Sequence, residues 1–184
     1  MKKLNLFIYA FFFFFLTSNA QIEKGYWMLG GEARFYSTHS SQENGYDFPR
    51  SNGFSLSPNI GYFVVDNLAI GSKITFDITN STTGVGIGPF ARYYFLGSDK
   101  LLNVFVDARA GYGIAKHNDN TNKIYNSFFY GFKTGPVIFL NENIALELVL
   151  DYSVGKNIQQ KIKYDNFYAT IGLQIHLKDY NKKH

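Results

Sequence analysis

Eight stretches of this chain alternate residue by residue between two kinds of side chain, and in all eight one parity carries no charge. Successive side chains of a β-strand point to opposite faces, so such alternation predicts strands with one uniformly apolar face. The predicted strands are residues 25–37, 53–64, 68–78, 84–95, 101–114, 127–140, 144–154 and 166–177. No segment after residue 20 keeps a helical period for three turns. The connections alternate in length: 65–67, 96–100 and 141–143 are tight, while 38–52, 79–83, 115–126 and 155–165 are mostly longer and polar. Short, long, short, long is the rhythm of an up-and-down meander with one elaborated rim.

The apolar parity runs from Trp27, Leu29, Ala33 and Phe35 in the first strand to Phe167, Ala169, Ile171, Leu173, Ile175 and Leu177 in the last, with Ser72 and Thr134 as its only polar members. The opposite parity holds Glu32, Arg34, Lys73, Asp77, Arg92, Asp107, Arg109, Lys133, Glu147 and Asp151, five acids and five bases. Ser55, Ser57, Asn59, Thr75, Asn103, Thr170, Gln174 and His176 surround them. The stretch NVFVDARAGYGI, residues 103–114, compresses the problem: Val104, Val106, Ala108, Ala110 and Tyr112 form one face while Asp107 and Arg109 interrupt the other.

Two architectures accommodate such strands. A soluble sandwich or lipocalin-like barrel turns the apolar face inward; a transmembrane barrel turns it to lipid and fills its lumen with the polar face. The apolar stripe is unbroken on the first and last strands, where a sandwich would place edge charges. Aromatic residues gather at both ends of the strands, as at two water–lipid boundaries. An eight-stranded barrel is just wide enough for its own side chains, and charges enclosed there must pair; five against five permits that. The expected fold is therefore all-β: an eight-stranded antiparallel up-and-down transmembrane β-barrel with a polar, charge-filled lumen. Gly84, Gly86 and Gly88 would make room inside for large side chains such as Arg92 or Tyr94. Pro58, Pro89 and Pro136 recur before the short turns of strands 2, 4 and 6, where a missing ladder donor predicts bulges or bends.

Residues 1–20 have the form of a secretory signal: Lys2 and Lys3, an apolar run from Leu4 to Leu16, then Ser18-Asn19-Ala20. Cleavage after Ala20 is expected, with a barrel domain over 21–177 and a short polar tail over 178–184. Removing Lys2 and Lys3 lowers the net charge of +4 by two, and no basic–aromatic motif accompanies the tail lysines, so nucleic acid is not an expected partner. The chain has no cysteine, which excludes disulfides and a lipid-modified cysteine alike.

With these features the sequence resembles the small eight-stranded outer-membrane barrels of the OmpA/OmpX type, in the form found in Bacteroidetes-like bacteria. The last strand, TIGLQIHL, is similar to that family's insertion signal, with Thr170, Gly172, Ile175 and Leu177 in the signal positions. Family members usually finish on an aromatic residue; here Leu177 stands there and KDYNKKH follows. The resemblance implies residence in the outer membrane, contact with its lipid and with the barrel-assembly machinery, and a non-enzymatic structural or surface-interaction role with four outward loops.

No catalytic residue, metal site or cofactor is expected. His39, His117, His176 and His184 lack metal-ligand spacing. His39, Ser40 and Asp47 could form a lipid-modifying triad at the outer rim, but no strained nucleophile turn accompanies them. A carboxylate pair of Glu32 with Glu147 or Asp151 is outweighed by its basic neighbours, and Asn80-Ser81-Thr82 spells a glycosylation acceptor of a kind frequent by chance. The main alternative function is a narrow porin-like channel for small solutes.

Overall fold

In the computed structural model the alternating stretches become eight antiparallel strands closed into a barrel, each paired with its neighbours in sequence and the first with the last. They are β1 (Tyr26–Thr38), β2 (Ser51–Val65), β3 (Leu68–Thr79), β4 (Thr82–Tyr94), β5 (Leu102–His117), β6 (Ile124–Phe139), β7 (Ile144–Asn157) and β8 (Lys163–Lys178). The structure describes residues 22–38, 51–118, 123–159, 161 and 163–179. The signal segment, the loop bearing His39, Ser40 and Asp47, and residues 180–184 lie outside the described residues.

Most strands run further toward the long-loop rim than expected. β5 continues to His117, β6 begins at Ile124, β7 continues to Asn157 and β8 begins at Lys163. Backbone pairing needs no apolar side chain, so the ladders continue through residues whose polarity reads as loop. The segment 79–83, expected among the longer connections, is a two-residue turn over Asn80 and Ser81. The Thr79 hydroxyl there accepts from the amides of Ser81 (3.3 Å) and Thr82 (2.9 Å).

The expected bulges at the prolines are absent. Pro58, Pro89 and Pro136 each lie in an unbroken ladder on one side, opposite Gly31, Ser72 and Val104. On the other side the pairing skips two residues and resumes in the same register, as from Leu56↔Phe76 to Asn59↔Lys73. Each proline leaves its ladder a donor short, and the strand passes the gap without gaining a residue. Among the described residues the one register shift falls between Phe63 and Val65, beside the first short turn.

Outward-facing side chains form an apolar belt around the whole barrel: Phe132 is 59 % exposed, Ile171 63 % and Phe167 67 %. Monomeric soluble proteins rarely expose contiguous apolar patches above a few hundred Å², and a closed belt has no bare edge by which to hide. Rings mark its margins, with Trp27 against Tyr62 (5.0 Å) and Tyr93 against Phe95 (5.3 Å) near the short turns, and Phe128 against Tyr130 (6.4 Å) near the other rim.

The interior is not polar throughout. Met28, Phe63, Ala69, Tyr94, Phe105, Val137, Phe139 and Ala145 point inward and are fully buried at the short-turn end, and Val149, also buried, stands higher between Glu147 and Asp151. Ile22 caps them from below. Its carbonyl accepts from the Asn67 amide (2.8 Å), and the Gly25 amide donates to the Phe63 carbonyl (3.0 Å), so the chain ahead of β1 folds across the barrel mouth.

Candidate functional site: a layered lumen with a blind vestibule

Above this apolar floor the lumen charges stack in three layers. The deepest centres on Arg92. Its Nη1 donates to Glu147 Oε1 (2.7 Å), its Nε and Nη2 reach Asp107 Oδ2 (3.3 and 3.2 Å), and its guanidinium lies 4.3 Å from the Phe105 ring centroid. All three ionic side chains are fully enclosed. Arg92 and Asp107 are direct ladder partners, whereas Glu147 reaches across from β7. The Gln174 amide (3.4 Å) and the Tyr94 hydroxyl (3.4 Å) complete the shell around Glu147.

One layer up, five side chains form a continuous chain. Lys73 donates to Glu32 Oε1 (2.8 Å), Lys133 donates to Glu32 Oε2, Lys133 approaches Asp151 Oδ2 (3.4 Å), and Arg109 donates to Asp151 Oδ1 (2.5 Å). Every carboxylate oxygen of Glu32 and Asp151 is thereby occupied. The uppermost layer is Arg34 with Asp77, a looser pair at 3.8 Å. All ten charges read from the sequence parity thus point into one lumen and sort into a chain of five, a triad and a pair. Glu32, Glu147 and Asp151 each sit against bases, so no free carboxylate pair exists among them.

The top layer stands where the barrel is least closed. The β1–β8 ladder ends at Ala33↔Ile171, and above it the two strands pair only with β2 and β7. Arg34 fills the split by lying 3.6 Å from the Tyr168 ring centroid and 5.3 Å from that of Tyr36. Beside the split, opening toward the long-loop rim, lies a cavity of about 430 Å³ whose charged lining is Glu32, Arg34, Asp77, Arg109, Lys133 and Asp151, with Ser55, Thr75, Ser127 and Asn166 among its hydroxyl and amide groups. The floor and the Arg92 triad seal it beneath, making it a blind vestibule.

Glycines keep this space open, though not as expected. Gly84 and Gly86 line the vestibule. What occupies the neighbouring volume is the Phe129 ring, not Arg92 or Tyr94: a Cβ at Gly111 would lie 2.4 Å from it and one at Gly86 3.4 Å. Gly88 is instead pressed against the Ala110 carbonyl.

The sequence-derived insertion positions divide by face. Thr170 and Gly172 look inward, Ile175 and Leu177 outward, and Leu177 pairs with Trp27. His176 is enclosed by Phe63, Tyr94 and Phe139, with no hydrogen-bond partner on either ring nitrogen. Asn80 and Ser81 form the β3–β4 turn and Thr82 opens β4. Among the described residues no three metal-ligating side chains converge.

The floor was not foreseen, although its signal is legible. Beside each short turn the alternation fails and both parities become apolar, as in YFVV (62–65), VFV (104–106) and PVIF (136–139).

No family model matches the chain, and no curated protein matches it. Solved structures do. The Neisserial surface protein A (NspA) is similar with a TM-score of 0.58 at 16 % identity, over 85 % of this chain and 98 % of that one. The N-terminal β-barrel domain of Pseudomonas aeruginosa OprF gives 0.56 at 14 % identity, over 84 % and 98 %. The outer membrane protein OprG of the same organism gives 0.55 at 11 %, over 88 % and 100 %. The fold is that of a small outer-membrane β-barrel. At these identities the likeness is one of fold alone.

Proposed function

We propose that the chain is an integral protein of a bacterial outer membrane, non-enzymatic and non-conducting, that holds its long-loop rim outward for a structural or surface-interaction role. The observation that carries this reading is the sealed lumen beneath a continuous apolar belt. The belt supports burial in lipid, because about 2–4 kcal/mol is what one Arg or Lys costs on such a face at the bilayer midplane and no belt position carries one. The Arg92 triad, the aromatic floor and Ile22 together leave no polar path through the short-turn end, which argues against the channel alternative.

In this reading outer-membrane lipid covers the belt, and the barrel-assembly machinery receives the last strand through Thr170, Gly172, Ile175 and Leu177. The OmpA/OmpX-type, Bacteroidetes-like assignment, the signal peptide with cleavage after Ala20 and the absence of catalysis belong to the same proposal. Two measurements test it. Extraction should require detergent, and the folded chain should migrate differently on gels unheated and boiled; recovery in a soluble fraction overturns the membrane reading. In planar bilayers the purified protein should give no steady conductance, and reproducible channels overturn the sealed-lumen reading.

A further inference from the structure

The layers of the lumen are not individually neutral. The deep triad holds two acids and one base, whereas the chain of five above it holds three bases and two acids. The vestibule lining is itself balanced, with Arg34, Arg109 and Lys133 against Glu32, Asp77 and Asp151, while the negative surplus of the triad lies beneath it at the sealed end.

Hydrogen-bonding capacity in the vestibule is skewed toward donors. Both oxygens of Glu32 and of Asp151 already accept from lysine or arginine. The two vestibule guanidiniums are far less committed. Arg109 donates one hydrogen bond, to Asp151, and its Nε has no partner. Among the described residues, Arg34 meets one carboxylate, Asp77 at 3.8 Å, besides the Tyr36 and Tyr168 rings, and its Nε has no hydrogen-bond partner. A guanidinium carries five donors in a planar fork suited to carboxylate and phosphate. The vestibule thus offers donors in excess, and of its three carboxylates only Asp77 is not already held at hydrogen-bond distance by a base.

Position adds to this. Arg34 is on β1 and Arg109 on β5, four strands apart in either direction around the barrel, so the two approach the cavity from opposite walls. Arg34 stands at the split between β1 and β8, held by rings and not by a tight carboxylate, so it can turn toward a guest at little cost. A volume of about 430 Å³ falls within the ~300–1,000 Å³ typical of small-molecule sites. Ser55, Thr75, Ser127, Ser153 and Thr170 supply hydroxyls along its wall.

We propose that the vestibule is a binding site for a small hydroxylated oxyanion, a sugar-acid carboxylate or a phosphate ester, clamped between Arg34 and Arg109 with its hydroxyls against the Ser/Thr wall. The oxyanion enters from the long-loop rim and leaves by the same route, because the floor is closed. Binding in this sense goes beyond the structural role proposed above, and it is measurable in detergent micelles whether or not the barrel conducts.

The test is calorimetric titration of the full chain in zwitterionic detergent with gluconate, with glycerol 3-phosphate and with sorbitol as the neutral polyol. Gluconate or glycerol 3-phosphate should bind and sorbitol should not; which anion binds more tightly tells a carboxylate source from a phosphate one. Arg34→Gln and Arg109→Gln should each weaken binding about tenfold, equivalent to ~1.4 kcal/mol. Lys156→Gln, on the outward face, should leave it unchanged. Retention of the unheated gel shift shows that each variant is folded. Sorbitol binding equal to gluconate, equal loss in Lys156→Gln and Arg109→Gln, or no anion binding up to about 10 mM overturns the proposal.

Discussion

Replacing Arg92 by Leu is the most demanding test of the layered lumen. Arg92 is the only base in its triad, bonded to Glu147 at 2.7 Å and to Asp107 at 3.2 Å, and none of the three side chains reaches solvent. Leucine retains apolar contact with Phe105 but strands two carboxylates. Glu147 keeps the Gln174 amide and the Tyr94 hydroxyl at 3.4 Å, while Asp107 Oδ1 has no partner even with Arg92 present. Removing one partner of a buried ion pair costs ~3–5 kcal/mol, because the remaining charge stays desolvated. Two stranded acids place Arg92→Leu at the upper end of that range. A triple variant, Arg92→Met with Asp107→Leu and Glu147→Met, removes the charges together, and buried triads so replaced are often neutral or more stable by ~1–4 kcal/mol. Folding into micelles against urea, read by the unheated gel shift, gives both free energies. The expected order is Arg92→Leu far below the parent and the triple variant near or above it. Arg92→Leu within about 1 kcal/mol of the parent, or a triple variant no better than the single one, would refute a desolvated triad.

Three further outcomes follow from the same geometry. Val106→Arg, on the outward face, should impair membrane assembly by the ~2–4 kcal/mol of a charge at the midplane, whereas Arg109→Gln should be mild because Lys133 still serves Asp151; similar damage from both would reverse the assignment of faces. His176→Phe should be neutral or stabilising by about 1 kcal/mol, since it removes an imidazole with two unpartnered nitrogens from among three aromatic rings; a loss above about 2 kcal/mol would show that the imidazole is bonded in the folded protein. Hydrogen exchange should find amides facing the β1–β8 seam above Ala33 and Ile171 faster than those facing any other seam at the same height, and uniform protection around the barrel would mean that the ladder continues.

Parity alone located the ten lumen charges seen among the described residues, because a one-residue offset in a strand exchanges its faces completely. It also made some ion pairs accessible in principle: Arg92 with Asp107 and Lys133 with Asp151 are ladder partners on adjacent strands. Pairs that span the lumen were not accessible. Glu32 meets Lys133 from β1 to β6 and Arg92 meets Glu147 from β4 to β7, and such contacts depend on barrel closure and strand stagger, which one sequence does not specify. The apolar floor escaped for another reason. Phe63, Phe105 and Phe139 share the inward parity with the charges, but they lie where both parities are apolar, so a reading built on alternation passes over them.

The balance of five acids and five bases conceals the feature that matters most for function. Here the acids outnumber the bases in the deepest layer and the bases outnumber the acids in the next, so the same neutral total is polarised along the barrel axis. Interior charges act through a low effective dielectric and are screened less than surface charges. The floor that would have to open for conduction is both apolar and backed by negative charge. Under the proposed anion binding, Arg34 and Arg109 would hold the guest above a closed, negatively charged layer, as expected of a receptor site and not of a pore.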